Sequence, residues 1–501
     1  MFFDPDFCKV GLMNFRNVFQ HLYVLHLEIC YDTKLPDTIG CLYHLKFLRL
    51  SGVRELPSSI GNLKNLQILI VDAYSCQLPP ETTDLINLRH LDAPYLKPLK
   101  RISKLTSLQV LKDIHCDQWK DVDPFDLVNL RELTMSDINI YYSLNNIGSL
   151  KNISTLCLWC ELDGSFPALE FLKSCQKLHK LWLYGGIEKL PLSDPFPNSI
   201  TMVILENSKL KEDPMPILGM LPNLRNLKLL VAYEGKEIIC GDNSFNQLEF
   251  LRLHYLPNLE IWHLATSAIP LIKDLDICRC PKLKEIPQRM NDVERYSKPL
   301  KRISKLTSLQ VLRGIYCDQW KDIDPVDLVN LQELAMFGIK KSYSLNNIGS
   351  LKNLSTLKLS CYSEESFPAL EFLSSCQKLH KLWLFGRIEK LPLSDSFPNS
   401  ITIILLSESK LKEDPMPILG ILPNLRNLEL FTAYEGKKIT CSDNSFNQLE
   451  FLRLNFLSNL EKWHLAASAI PLIKDLHIYE CPKLKEIPQR MKDVERLKIR
   501  S

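Results

Sequence analysis

One spacing of apolar residues recurs along almost the whole chain. Three leucine-like residues stand at positions one, four and six of a short segment, as in residues 45–50 and 178–183. The spacing returns at intervals of roughly 20 to 25 residues. Because side chains alternate along a strand, the last two apolar residues share one face. A lone strand cannot bury that face, so consecutive segments must stack side by side over one continuous core.

This period lies in the range of leucine-rich repeats. It predicts an α/β leucine-rich-repeat solenoid shaped like a horseshoe, with a parallel β-sheet on the concave face. The convex face is predicted to hold irregular, 3₁₀ or short helical segments. Prolines between the strands, such as Pro57 and Pro287, favour such segments because proline cannot continue a β-ladder. Burial of each strand leucine is worth roughly 1.5–3 kcal/mol.

A second, much longer period is superimposed on the first. Residues 97–295 align without a gap with residues 298–496, which stand 201 positions further on, and most of the aligned residues are identical. Trp119 thus corresponds to Trp320 and Trp182 to Trp383. We interpret this as a tandem duplication. The predicted organisation is N-terminal leucine-rich repeats over 1–96, a first copy over 97–295, an irregular junction over 296–305 and a second copy over 306–501.

The junction between the copies lacks a normal strand pattern. Tyr296 stands where the second copy has Leu497. It precedes the next strand leucine, Leu312, by 16 residues, whereas the corresponding interval in the first copy is 20 residues. We therefore predict a short, strained coil at the junction and a kink over residues 285–315.

The chain contains 16 cysteines, several of which fall a few residues after the strand leucines. They occupy the position where the repeat consensus has asparagine or cysteine, and they are Cys30, Cys160, Cys280, Cys361 and Cys481. A small side chain there packs against turn backbone, so we predict structural rather than reactive thiols. We recognise no secretory signal and no zinc-finger spacing, and we therefore predict neither disulfides nor a metal site.

The two copies differ mainly on the outward face of the predicted strands, while their core leucines are almost unchanged. Lys228 corresponds to Glu429, a charge reversal, and Trp159 corresponds to Ser360. Two explanations remain open: exposed positions tolerate change because packing does not constrain them, or the concave surface has diversified to bind partners. The second explanation predicts a partner-binding surface formed by Ser136, Cys157, Trp159, Trp182, Tyr184, Lys228, Arg252, His254, Asp276, Lys358, Trp383, Glu429, Arg453, His477 and Tyr479.

Composition and motifs argue against several other functions. The 61 lysines and arginines nearly balance the 58 acidic residues, which is not the basic excess of a nucleic-acid-binding protein. No apolar run approaches the ~18 residues of a membrane span. We find no catalytic motif and no phosphate loop, and so predict no enzyme activity and no cofactor. Trp119-Lys-Asp121 and its second copy, 320–322, are interpreted as a packed aromatic residue beside a solvated charge pair.

Several segments resemble a known family. Residues 56–67 resemble the early repeats of plant nucleotide-binding leucine-rich-repeat immune receptors, and residues 270–287 resemble the C-terminal repeats of late-blight-resistance-type receptors. The resemblance covers nearly the whole chain. It implies a cytoplasmic protein-recognition module of plant innate immunity, whose concave surface binds a pathogen effector or a monitored host protein. The family's nucleotide-operated switch needs a phosphate loop that is absent here, so we expect a module truncated of that switch.

Two alternatives stay open. The chain could be a repeat-type substrate adaptor of a ubiquitin ligase, although residues 1–20 leave little room for a ligase-docking domain. It could instead be a non-functional fragment of a duplicated receptor gene. Sequencing of the transcript across residues 296–305 tests the latter.

Overall fold

Short parallel strands alternate with 3₁₀ and one-turn helical segments along the chain. The structure, a computed structural model, describes residues 2–3, 21–72, 76, 78–93, 102–119, 124–161, 163–191, 196–283, 289–290, 306–320, 323–325, 328–362 and 364–500. The chain divides into two units, the first comprising residues 1–248 and 255–259 and the second residues 249–254 and 260–501. This boundary falls inside the first copy of the duplication, so the four-part organisation predicted from the sequence stays a prediction.

The first unit contains one parallel sheet in which each strand pairs with the next along the chain. Its strands are β1 (Phe2–Phe3), β2 (Val24–Lys34), β3 (Phe47–Glu55), β4 (Ile68–Asp72), β5 (His90–Asp92), β6 (Val110–His115), β7 (Glu132–Ile138), β8 (Thr155–Cys160), β9 (Lys180–Tyr184), β10 (Met202–Glu206) and β11 (Asn226–Leu230). The short strand β12 (Glu237–Cys240) follows β11 in sequence.

The second unit repeats this arrangement. Its strands are β13 (Phe250–His254), β14 (Ile261–Ala265), β15 (Asp274–Cys278), β16 (Arg289–Met290), β17 (Val311–Tyr316), β18 (Glu333–Ile339), β19 (Thr356–Cys361), β20 (Lys381–Phe385), β21 (Ile403–Ser407), β22 (Asn427–Phe431), β23 (Lys438–Cys441), β24 (Phe451–Asn455), β25 (Lys462–Leu465), β26 (Asp475–Tyr479) and β27 (Arg496–Arg500). The main parallel sheet runs in the order β13, β15, β17 to β22, β24, β26, β27. Two small pairs, β14 with β16 and β23 with β25, lie outside it.

Among the described residues, the connections between strands contain 3₁₀ turns and four one-turn helices. The 3₁₀ segments are Asp37–Cys41, Ser58–Asn62, Pro80–Asp84, Ile102–Lys104, Pro124–Asp126, Asn145–Ser149, Glu170–Ser174, Asn346–Ser350, Glu371–Ser375, Ser394–Ser396 and Gln489–Lys492. The helices are α1 (Cys116–Trp119), α2 (Met215–Leu218), α3 (Cys317–Trp320) and α4 (Met416–Leu419). Pro57 is extended and precedes Ser58–Asn62, as its position in the repeat predicts. Pro287 lies outside the described residues.

Leucine ladders form the core of each unit. Leu48, Leu69 and Leu91 stand opposite one another on β3, β4 and β5, and all three are fully buried. The leucine-rich-repeat fold and the parallel sheet predicted from the spacing are therefore confirmed. No helix among the described residues has both the length and the apolar character needed to span a membrane.

Trp119 and Trp320 are among the largest fully buried side chains. Each indole Nε1 donates a 2.9 Å hydrogen bond, from Trp119 to Asn146 Oδ1 and from Trp320 to Asn347 Oδ1. The predicted packed aromatic residue is confirmed at both positions. The lysine and aspartate that follow each tryptophan lie outside the described residues.

Strand pairing at the duplication junction differs from the rest of the array. Leu275 on β15 stands opposite Leu312 on β17, 37 residues later, whereas Leu476 stands opposite Leu497, only 21 residues later. The strand that begins the second copy thus pairs directly with β15. The predicted short coil at Tyr296 and the junction over 296–305 lie outside the described residues, and the kink over 285–315 stays a prediction.

Candidate protein-binding surface

Alternate residues of each strand point away from the leucine core and form what we call the outward face of the sheet. On β9, Lys180, Trp182 and Tyr184 are partly exposed, whereas Leu181 and Leu183 between them are buried. All the partner-binding residues predicted from the sequence lie on strands at such outward positions. Among them only Cys157 and His477 are buried, at 6% and 8% exposure. Their role in binding stays a prediction.

Three aromatic residues in the first unit form what we call the aromatic cluster, consisting of Trp159, Trp182 and Tyr184. The ring centroid of Trp159 lies 5.9 Å from that of Trp182 and 6.2 Å from that of Tyr184. Trp159 is 38% exposed, and Trp182 Nε1 donates a 3.2 Å hydrogen bond to Glu206 Oε2. The cluster is thus an apolar surface in which the Trp182 ring is held in place by a hydrogen bond, as in binding anchors.

Polar groups lie on either side of the aromatic cluster. Ser136 stands opposite His115 on β6, and Lys228 stands opposite Ile204 on β10. Cys157, which stands opposite Trp182, is buried. The first unit therefore surrounds its aromatic cluster with hydroxyl, amine and aliphatic groups.

Ion pairs dominate the beginning of the second unit's outward face. Arg252 Nε and His254 Nε2 approach the two Asp276 oxygens at 3.1 and 3.0 Å. Burial alone would raise the pKa of Asp276, but His254 and Arg252 together lower it. These charges are held in one geometry, so they favour specificity over affinity for a partner.

Further charges connect the strands on either side of the junction. Arg313 bridges Asp274 at 3.1 Å and Glu333 at 2.9 Å. Lys358 Nζ contacts Glu333 Oε1 at 2.8 Å and lies 4.2 Å from the centroid of the Trp383 ring. Burial would raise the pKa of Glu333, but Arg313 and Lys358 lower it overall. The carboxylate therefore remains ionised between two cations.

A third charged group lies near the C-terminal strands. Arg453 Nη1 contacts Glu429 Oε2 at 2.9 Å, and Arg453 Nη2 lies 3.3 Å from His477 Nδ1. Burial and the neighbouring Arg453 lower the pKa of His477, so the imidazole is neutral at pH 7 and can accept from Arg453. The rings of His477 and Tyr479 meet edge to face at 5.9 Å.

Sequence reasoning did not select three residues that contribute to this face, namely Arg313, Glu333 and Phe385. Arg313 and Glu333 form the ion pairs just described, and Phe385 is 36% exposed. Their outward positions could have been found from the sequence, because each alternates with core residues along a predicted strand. What could not be seen was that β17 pairs with β15, which brings Arg313 to Asp274.

At two of the five repeat positions the thiol is seen to pack against backbone, as predicted. Cys280 Sγ donates to Leu253 O at 3.5 Å and Cys481 Sγ to Leu454 O at 3.6 Å. Cys160 is also buried, whereas Cys361 is partly exposed; the side chain of Cys30 lies outside the described residues.

The prediction from cysteine spacing overlooked one C-x-x-C pair, Cys157-Leu-Trp-Cys160 on β8. Both thiols are free and buried, and burial raises the pKa of both, that of Cys160 to about 12. A metal requires thiolates. Among the described residues, no three or more His, Cys, Asp or Glu side chains are grouped to hold a metal ion.

We expect the buried thiols to resist alkylation in the folded protein. Burial raises the pKa of Cys317 and of Cys441 to about 12, so almost no reactive thiolate is present at pH 8. Treatment with iodoacetamide followed by peptide mass spectrometry should leave both unmodified, whereas the partly exposed Cys41 reacts. Both should react fully in guanidinium chloride. Equal labelling of Cys441 and Cys41 in the folded protein would show that the thiols are not packed as described.

Comparisons with known proteins agree with this fold. The family model for a leucine-rich repeat region matches residues 6–294 and 290–498. Probable disease resistance protein RF9 of Arabidopsis thaliana is 29% identical over 471 residues, which cover 91% of this chain and 35% of that protein. Probable disease resistance RPP8-like protein 2 of the same plant is 30% identical over 281 residues, or 52% of this chain and 30% of that protein. The chain thus spans about a third of the length of these relatives.

A solved structure supports the fold independently. The crystal structure of the TLR13–ssRNA13 complex aligns with 95% of this chain and 74% of that chain, at 17% identity and a TM-score of 0.55. At this level of identity the likeness concerns the fold alone.

Proposed function

Because the chain belongs to the leucine-rich repeat region family and is similar along 91% of its length to a plant disease resistance protein, we propose that it is a protein-recognition module of plant innate immunity. It binds a pathogen effector or a monitored host protein on the outward face of its sheet. The observation that carries this proposal is the aromatic cluster on the first unit, where Trp159 remains 38% exposed.

The cluster has the properties of an interface anchor. Tryptophan and tyrosine supply large contact areas with few rotatable bonds, and they dominate binding energies at protein interfaces. Lys180 Nζ lies 5.8 Å from the centroid of Trp182, and Glu206 accepts the indole hydrogen bond. These contacts restrict the ring before a partner arrives, which lowers the entropy lost on binding.

The two copies of the duplication form two chemically different surfaces under this proposal. The second copy replaces Trp159 by Ser360 and Lys228 by Glu429, and Glu429 pairs with Arg453. Charge reversals change which partner is accepted more than they change affinity. Copy one and copy two are therefore separate recognition segments.

Site-specific photo-crosslinking tests this proposal. A photoreactive phenylalanine analogue placed at Tyr184, on the outward face, should crosslink to the partner in a panel of effectors and host proteins. The same analogue at Tyr141, which is 88% exposed outside the strands, serves as the control and should not. Trp159→Ser and Lys228→Glu, which introduce residues found in copy two, should each weaken binding at least about tenfold.

Thermal stability should stay nearly unchanged in both variants, because neither side chain belongs to the leucine core. Crosslinking at Tyr141 but not at Tyr184 would place the partner elsewhere. Full binding by both variants would refute a role for this face in copy one.

A further inference from the structure

The outward positions at the C-terminal ends of the strands in copy two follow a regular alternation. Successive strands β19 to β26 of the main sheet present residues that stand opposite one another in the printed register. They alternate between small polar and aromatic side chains, and we call them the aromatic row: Ser360, Phe385, Ser407, Phe431, Asn455 and Tyr479.

The alternation creates ridges separated by gaps. Phe385 and Phe431 are 36% and 38% exposed, whereas Ser407 between them is only 9% exposed. Phe456, which directly follows the neighbouring strand β24, packs against Phe431 with ring centroids 5.0 Å apart and supports that ridge. Two gaps are bounded by aromatic rings on both sides, one over Ser407 and one over Asn455.

The spacing of the ridges matches one particular backbone conformation. Neighbouring strands lie about 4.8 Å apart, so aromatic residues on every second strand are about 9.6 Å apart. A polyproline II helix has three residues per turn and rises about 3.1 Å per residue, hence about 9.3 Å per turn. A segment with proline at every third position, lying across the strands, therefore places successive prolines in successive gaps, as in other aromatic-lined grooves that bind proline-rich segments.

Two buried polar atoms beside the row have no partner among the described residues, and they are Trp383 Nε1 and Asn455 Oδ1. A polyproline II segment leaves its own backbone groups unpaired, so its carbonyls can accept from the indole and its non-proline amides can donate to Asn455. Both atoms are shielded in the free protein, so these bonds form only when side chains above them rotate. In copy one the indole is already satisfied, since Trp182 donates to Glu206.

The charges around the row favour an acidic partner. The outward positions of β18, β19, β20, β21, β22, β24, β26 and β27 carry six lysines or arginines against three carboxylates. At one end of the row, Arg500 stands opposite Tyr479, and Lys498 stands opposite His477. Both cations are exposed, so acidic residues at one end of the bound segment complement them.

Copy one does not present the same pattern. Its corresponding residues are Trp159, Tyr184, Glu206 and Leu230, which also stand opposite one another on β8 to β11. Trp159 and Tyr184 occupy adjacent strands and touch, and Glu206 puts a carboxylate where copy two has Ser407. Copy one therefore lacks the open gaps between aromatic rings that copy two has. It serves as an internal control for binding to the aromatic row.

We propose that the aromatic row of copy two binds a proline-rich protein segment in the polyproline II conformation, with acidic residues at the end beside β27. This rests on the proposed function as a recognition module and specifies the class of partner for copy two. Copy one retains a different specificity, set by its aromatic cluster.

Peptide binding to the full chain tests the proposal. The probe is a fluorescein-labelled peptide with proline at three positions spaced by three and two glutamates at one end, measured by fluorescence anisotropy. We expect saturable binding with a Kd on the order of 10 µM. A peptide of identical composition with prolines spaced by two and four, and one with lysines replacing the glutamates, should each bind at least tenfold more weakly.

Copy-one residues supply the matched variants. Ser407→Glu fills one gap and Phe431→Leu removes the shared ridge, and each should weaken peptide binding at least tenfold. Both residues occur at the equivalent positions of copy one, so the fold accommodates them.

The results separate this inference from the proposed function. If the probe does not bind, if the shuffled peptide binds equally well, or if Ser407→Glu and Phe431→Leu leave binding unchanged, the polyproline II inference is overturned. In those cases the proposed function is still tested separately, by crosslinking of the partner at Tyr184 and by the loss of that crosslink in Trp159→Ser. Peptide binding without crosslinking at Tyr184 would instead support the row and count against recognition through copy one.

Discussion

Replacing Trp320 by alanine is expected to lower the free energy of unfolding of the second unit by about 3–5 kcal/mol. The side chain is 1% exposed, so its removal leaves a cavity under β17 and β18 that surrounding leucines fill only in part. The change also removes the donor to Asn347 Oδ1, whose amide oxygen then loses its partner. Trp320→Phe retains most of the apolar contact and should cost about 1–2 kcal/mol.

Hydrogen exchange read by mass spectrometry is the appropriate measurement, because repeat arrays unfold in segments rather than as one two-state unit. Trp320→Ala should reduce protection of β17 and β18 and leave β6 and β7 in the first unit unchanged. The equivalent variant Trp119→Ala, whose indole donates to Asn146, should show the reverse distribution. Trp159→Ala, which removes a partly exposed indole, is the control. If Trp320→Ala reduced protection no more than this control does, the buried role of Trp320 would be contradicted.

Replacing Gly314 by aspartate, its counterpart Asp113 in copy one, should be equally damaging, with a loss of at least about 3 kcal/mol. Gly314 adopts φ +81°, and a Cβ added there would lie 1.9 Å from the carbonyl oxygen of Ile277. This backbone oxygen belongs to β15 and cannot move without breaking the β15–β17 pairing. The clash follows from the way the second copy begins, because β17 lies directly on β15.

The reverse change, Asp113→Gly, is the matched control. Asp113 already adopts φ +58°, and burial together with Asp92 raises the pKa of its carboxyl. Removing a side chain that is unfavourably ionised at pH 7 should change stability by less than about 1 kcal/mol. Hydrogen exchange read by mass spectrometry measures both variants, by comparing the protection of β15 and β17 in Gly314→Asp with that of β5 and β6 in Asp113→Gly. If Gly314→Asp were tolerated as well as Asp113→Gly, β17 would not lie against β15 as described.

The strands and their register were predictable because the spacing itself carries the information. In a parallel stack, Leu48 and Leu69 must occupy the same depth of the core, so their positions in the sequence also define the pairing of β3 with β4. The turns after proline were predictable for the same local reason, as Ser58–Asn62 shows. The buried indole of Trp119 was also anticipated, although its hydrogen bond to Asn146 was not.

Much of the candidate surface was predictable as a set of positions but not as a set of contacts. Alternation places Arg453 and His477 on the outward face, since each lies between core residues. Their mutual contact, and the resulting lower pKa of His477, depend on side-chain rotamers and on neighbours one strand away. Likewise, the aromatic row became visible only when the register placed Phe385, Ser407 and Phe431 side by side.

The repeating strand, the buried leucine ladder and the duplication can all be read from the order of residues, because each is a periodic property that local geometry converts into structure. The pairing of β17 with β15 across a 37-residue interval is visible only in the folded chain, since the choice of strand partner at an irregular repeat depends on competing long-range contacts rather than on spacing. The folded chain also shows that the indole Nε1 of Trp182 donates to Glu206, while that of Trp383 has no hydrogen-bond partner among the described residues. Those differences arise from residues distant in sequence, and they distinguish two copies whose cores are nearly the same.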